Sequence, residues 1–144
     1  MDDLLLLTRI AGRPAAFRAV DVRSIIELGT ITPVPRAPDF VAGITALRSR
    51  ALTVIDARRI LGARGGRDSA DDRSPVVDIA GHSYALLVDK VADVVAGVGA
   101  LSPVGPTLGP RWSACAQGMI ETAAGPAIVM DVPALITGPQ KAAA

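Results

Sequence analysis

The chain is short of the groups that carry most enzyme chemistry. It has one histidine and one cysteine in 144 residues. A proton-transfer pair built on histidine, a thiol–imidazole couple or a His/Cys metal site each needs more than that. Cys115 has no second cysteine to pair with and no histidine near it in sequence, so it reads as a buried apolar thiol in a reducing, cytoplasmic compartment. His82 falls in a Gly81-His82 hairpin turn and reads as a solvated turn residue. Aromatic residues make up 3% of the chain, which leaves few stacking platforms for bases. Neither charge dominates: 15 Lys and Arg stand against 14 Asp and Glu, for a net charge of +1. A nucleic-acid surface built on bulk charge is therefore not expected. Residues 62–66, "GARGG", lack the Lys-Ser/Thr of a phosphate loop and read as linker. These shortages together predict a protein that is not an enzyme and holds neither cofactor nor metal.

Long uninterrupted hydrophobic runs are missing too. Half of the residues are hydrophobic, yet the stretch "VVAGVGALSPVGPTLGP" is broken throughout by Gly and Pro. The four leucines from Leu4 to Leu7 are too few, and follow two aspartates, so they do not read as a signal peptide. No membrane insertion is expected.

What the chain does have is a repeat. Ile10-Ala11-Gly12 reappears as Ile79-Ala80-Gly81, each between two apolar runs, so each copy opens with a β-hairpin. Asp21 then precedes Val22, Ile25 and Ile26 at helical spacing, which predicts a short amphipathic turn. Asp89 precedes Val91, Val94 and Val95, which fit a turn or an extended strand equally. Thr32-Pro33-Val34 is echoed by Ser102-Pro103-Val104. "GITALRSRALTVID" and "GMIETAAGPAIVMD" have the same length and both end in aspartate, at Asp56 and Asp131. Each predicts strand, turn, strand and an aspartate capping a short helix. Gly62 and Gly138 are placed to close those helices, and Pro133 sits early, where its missing N–H costs least. All four aspartates, Asp21, Asp56, Asp89 and Asp131, read as caps before they read as chemistry.

The expected fold class is mainly β. Two five-stranded β-barrels, with short helices including one near the C-terminus, make up one domain over 1–144. The repeats run over approximately 4–62 and 75–138, with a polar loop at 62–75. Asp71 and Asp72 fall in that loop and read as solvated. Arg48 and Arg50 interrupt an apolar run where the second copy has Ala123 and Gly125. The fold does not require charge there, so function or solubility must explain it.

"ITPVPRAPDFVAGITALRSRALTVIDARRILG" resembles the CheW family of chemotaxis coupling proteins. Pro33, Pro35, Pro38, Gly43, Leu47, Arg48, Val54, Ile55, Asp56 and Arg58 match its pattern, and Val88, Asp89, Val91, Asp93 and Val94 match a second segment. "GMIETAAGPAIVMDVPALI" fits the closing hairpin and helix. The resemblance implies SH3-like barrels around a shared core. It implies a cytoplasmic adaptor, recruited to receptor arrays, with two partners: the regulatory domain of a CheA-type histidine kinase and the cytoplasmic tip of methyl-accepting chemoreceptors. The candidate partner-binding residues are Leu47, Arg48, Ser49, Arg50, Arg58 and Val88. Ala46, Ser49 and Thr53 depart from the pattern, where the family has Asn, Gly and Pro. A glycine there suits positive φ, which Ser49 would adopt only at a cost. That departure supports an alternative: a divergent module that engages kinase or receptor without coupling them, as competitor or array filler. A third reading, a ligand-binding protein or enzyme using the groove between barrels, predicts a deep pocket lined by titratable groups.

Overall fold

Apolar runs in the sequence become strands, and some of these, Arg13–Arg18 and Gly125–Met130 among them, bury both of their faces. The computed structural model describes residues 4–63 and 71–143, with side chains through Thr137. Within them run β1 (Leu4–Ile10), β2 (Arg13–Arg18), β3 (Val22–Glu27), β4 (Val41–Leu47), β5 (Arg50–Asp56) and α1 (Ala57–Ile60). The second half continues with β6 (Arg73–Ile79), β7 (His82–Leu87), β8 (Lys90–Ser102), α2 (Pro110–Cys115), β9 (Ala116–Thr122), β10 (Gly125–Met130) and α3 (Val132–Ala143). Most of the expected polar loop, residues 64–70, lies outside the described residues, and with it part of "GARGG".

The strands form two five-stranded sheets, ordered β1-β2-β10-β9-β8 and β3-β6-β7-β5-β4. Each sheet draws on both repeats. The opening hairpin of one copy pairs with the last three strands of the other, so β10 runs parallel to β2 and β5 parallel to β7. A sequence repeat is thus not a sheet.

Of the two barrels expected, only the first is closed by hydrogen bonds. In that barrel β8 pairs with β1 through Ala96 and carries on to pair with β9 from Gly97 to Ser102. Gly97 permits this, because a Cβ there would lie 2.6 Å from Ile120 Cδ1 and 3.1 Å from Leu5 Cδ1. Aligning Thr32-Pro33-Val34 with Ser102-Pro103-Val104 puts Glu27 opposite Gly97. The carboxylate is exposed and β3 ends on it. The second sheet is left with an isolated Thr32–Ile44 bridge between its edges.

Three apolar layers result. Leu5, Ala16 and Ala127 fill the barrel with Leu7, Val95 and Ile120. Leu52, Val54, Val76, Ala85 and Leu87 lie inside the second sheet. Between them sits a larger shared core that includes Leu6, Ile10, Phe17, Ile55, Leu86, Val88 and Trp112. On β2, Ala15 and Phe17 face the shared core while Ala16 faces the barrel, as the period of two requires. Burying strands on both faces accounts for the high hydrophobic content, and no helix among the described residues is long and apolar enough to cross a membrane.

The turns and caps follow local chemistry. Ala11-Gly12 (φ 50° and 80°) and Ala80-Gly81 (φ 52° and 82°) are tight two-residue turns of the primed type. His82 begins β7 just beyond the second turn. Asp56 caps α1 by accepting from the Arg58 and Arg59 N–H groups, and the Asp131 carboxylate accepts from the Ala134 N–H. Gly62 (φ 96°) closes α1, with its N–H donating to the Arg59 carbonyl and that of Ala63 to the Arg58 carbonyl. Two expectations are corrected. α3 runs past Gly138 to Ala143, because glycine allows a left-handed stop without enforcing one. Asp21 and Asp89 do not cap α-helices: strands β3 and β8 follow them. Asp89 instead takes the Gly12 N–H at 2.8 Å, tying the second half to the first hairpin turn.

Candidate functional site

Four of the six candidate residues meet at the β4–β5 hairpin. Leu47 ends β4 half-buried against the second-sheet core and anchors the tip. Arg48 and Ser49 form the turn, and Arg50 begins β5; all three are exposed. Their φ values, 49° at Arg48 and 72° at Ser49, repeat those of the two Ala-Gly turns. Ser49 therefore keeps the backbone geometry that glycine has in those two turns. Left-handed conformation at a non-glycine residue costs about 1–2 kcal/mol. The paired hairpin fixes the backbone that carries Arg48 and Arg50, so an acidic surface that meets them must order only their side chains.

A charged row extends from this hairpin across the same sheet. Asp78 on β6 accepts from the Ser83 hydroxyl and from Arg23 Nη1, both at 2.6 Å. The Ser83 hydroxyl, then Arg23, with Arg50 adding at longer range, hold the Asp78 carboxyl below its ordinary value. Arg50 is thus electrostatically coupled to β6 as well as to its own turn.

The other two candidates are corrected by burial. Val88 is fully buried in the shared core. Arg58 is 2% exposed, and its guanidinium lies on Asp56, Nε to Oδ1 at 3.2 Å and Nη2 to Oδ2 at 3.3 Å. It follows the far end of β5, about 20 Å from Arg50 at strand rise. Neither side chain is on a surface where a partner docks. The exposed neighbour is Arg59, with its side chain 43% accessible.

Asp71 is not simply solvated. Its side chain is 15% exposed and accepts from the backbone N–H of Arg73 and Val91 at 2.9 Å each, and from the Arg73 guanidinium. Partial burial pushes its carboxyl up, but these donors together outweigh that and hold it below the ordinary aspartate value. Cys115 is buried, and burial, helped by Asp131, pushes its thiol up to about 11. Such a thiol is a packing group rather than a nucleophile. His82 is exposed. No group of three or more metal-ligating side chains occurs among the described residues.

Sequence reasoning missed a groove of about 740 Å³. Arg13, Arg58, Leu61, Asp89, Leu108, Arg111 and Trp112 are among its walls. The signal available was slight: the only tryptophan, preceded by Gly-Pro-Arg.

A family model, the CheW-like domain, matches residues 4–140. The chain belongs to the CheW-like family. The resemblance drawn from Pro33 to Arg58 and from Val88 to Val94 is thereby borne out, and the chain has the mainly β, SH3-like fold of the family. This CheW-like chain is 28% identical over 91 residues to the chemotaxis protein CheW of Rhizobium meliloti, matching 63% of this chain and 59% of that protein. It is 32% identical over 83 residues to CheW of Thermotoga maritima, matching 58% of this chain and 52% of the relative. It is 36% identical over 78 residues to FrzA of Myxococcus xanthus, matching 54% and 46%. The matched segments thus span about half the length of each of these relatives. The crystal structure of the scaffolding protein TtCheW from Thermoanaerobacter tengcongensis superposes with a TM-score of 0.78 at 26% identity, covering 94% of this chain and 88% of that one.

Proposed function

We propose that this CheW-like chain is a non-catalytic cytoplasmic adaptor that couples chemoreceptor tips to the regulatory domain of a CheA-type histidine kinase within receptor arrays. The observation that carries this reading is the exposed β4–β5 tip, where Arg48 and Arg50 stand on a hairpin that Leu47 anchors in the second-sheet core. The scaffolding role in the name of TtCheW supports it. An adaptor needs no catalytic groups; it shifts its kinase between states by binding those states unequally. Two modest interfaces on one rigid body gain further from effective concentration in an array. The uncoupled competitor or filler rests on the departures at Ala46, Ser49 and Thr53; the φ of 72° at Ser49, in the range a glycine takes, favours the coupled reading at that one position.

Calorimetry against the kinase regulatory domain and against a receptor tip fragment tests the reading. Both are expected to bind, and Arg48→Ala is expected to weaken at least one contact by about 1–3 kcal/mol with melting temperature unchanged. Binding to one partner alone favours the uncoupled module. Lost stability with unchanged affinity would make Arg48 structural and end its role as an anchor.

A further inference from the structure

We propose that the groove beside Trp112 is a binding site for a small organic monocarboxylate with an apolar body. Its volume, about 740 Å³, falls in the range of small-molecule sites and exceeds what a bare ion needs. Two cations are built into its walls. Arg13 donates from Nη1 to the Leu108 carbonyl at 3.0 Å and lays its guanidinium over the Trp112 ring, 5.5 Å from the centroid. Arg111, from the opposite half of the sequence, donates from Nη1 to the Arg59 carbonyl at 3.3 Å. Each guanidinium is thus steered by a backbone carbonyl, and neither has a carboxylate partner among the described residues. A guanidinium offers five N–H donors, so each keeps capacity for an incoming anion.

The charge count selects the ligand class. Arg58 also lines the groove, but Asp56 already neutralises it. Asp89 is the one acidic residue of the lining, and its Oδ2 is taken by the Gly12 N–H. Two cations against one anion leave a single net positive charge, which one carboxylate matches. Leu61, Leu108, Pro110 and Trp112 supply apolar wall for the rest of the molecule. Occupancy requires no partner protein, so it stands or falls separately from the adaptor role.

Trp112 is the only tryptophan, so its fluorescence reports on the groove. The full chain is titrated with 3-phenylpropionate, its neutral amide, phenyl phosphate and inorganic phosphate, with calorimetry alongside. Saturable binding of 3-phenylpropionate is expected, tighter than any of the other three. Arg111→Gln, at an exposed site, is expected to weaken it about tenfold, and Arg13→Gln likewise. Absence of both heat and fluorescence change overturns the proposal. So does equal binding of the amide, or wild-type affinity in both variants. Tighter binding of phenyl phosphate would overturn the carboxylate assignment, and inorganic phosphate binding as tightly would overturn the apolar body.

Discussion

The two halves of the chain run the same plan with different endings. Asp56 and Asp131 both cap a helix after a closing hairpin, but the residue two places on is Arg58 in one half and Pro133 in the other. In the first half the cap is also the counter-ion of a buried guanidinium. In the second it is a cap alone. The hairpins before them differ as well. The first turns through Arg48 and Ser49 at positive φ, whereas the second moves the positive φ to Gly125 (107°) and braces Ala124 with the Thr122 hydroxyl. The repeated frame is what folding needs. The residues that break the repeat are where chemistry other than folding is to be sought.

Four measurements can break or sharpen that contrast. Arg58→Ala leaves the Asp56 carboxylate buried and unpaired and is expected to cost about 3–5 kcal/mol in urea unfolding, against about 1 kcal/mol for loss of the plain cap in Asp131→Ala. No loss for Arg58→Ala would mean that the buried pair adds nothing to the cap.

Gly43 and Gly118 are equivalent positions where a Cβ would run into backbone, the Thr32 carbonyl in one half and the Ser102 carbonyl, at 2.7 Å, in the other. Alanine at either is expected to cost about 3 kcal/mol, the upper end for ordinary single substitutions. Gly97→Ala meets only the ends of Ile120 and Leu5 and should cost less. A larger loss at Gly97 than at Gly43 would show that barrel closure outweighs these backbone contacts.

Asp71 links pH to the second half. Its folded carboxyl lies below the ordinary aspartate value, so its stabilising effect is complete above the unfolded value and fades as pH falls through the folded one. Melting temperatures recorded from about pH 6 to about pH 3 should fall more steeply for wild type than for Asp71→Asn; parallel curves would exclude Asp71 as the titrating group. The smallest effect concerns the turns. Ser49→Gly should stabilise by about 1 kcal/mol through relief of positive φ, and Gly12→Ser, at the matching place of another turn, should cost about as much. No gain from Ser49→Gly would mean that Ser49 is not strained.

Much of this was legible in the sequence because it is local. Ile10-Ala11-Gly12 and Ile79-Ala80-Gly81 announce hairpins through the φ their turns demand, and Asp56 announces a helix through the N–H groups it can reach. Those requirements are met within a few residues. The turn predicted after Asp21 failed because Val22, Ile25 and Ile26 are apolar at spacings that fit two periods, and pairing with β6 selected the strand. Arg58 and Val88 were placed on a surface because nothing local reports what packs above them.

The sequence by itself determined the repeat, most of the strands, the hairpin turns, the Asp56 and Asp131 caps and the family. Only the tertiary structure decided that the halves exchange hairpins, that one sheet closes and the other stays open, that Arg58 is buried, and that Arg13 and Arg111 share a groove. Each of these depends on contacts between residues tens of positions apart, and such contacts are settled by which surfaces fit together once both halves are present.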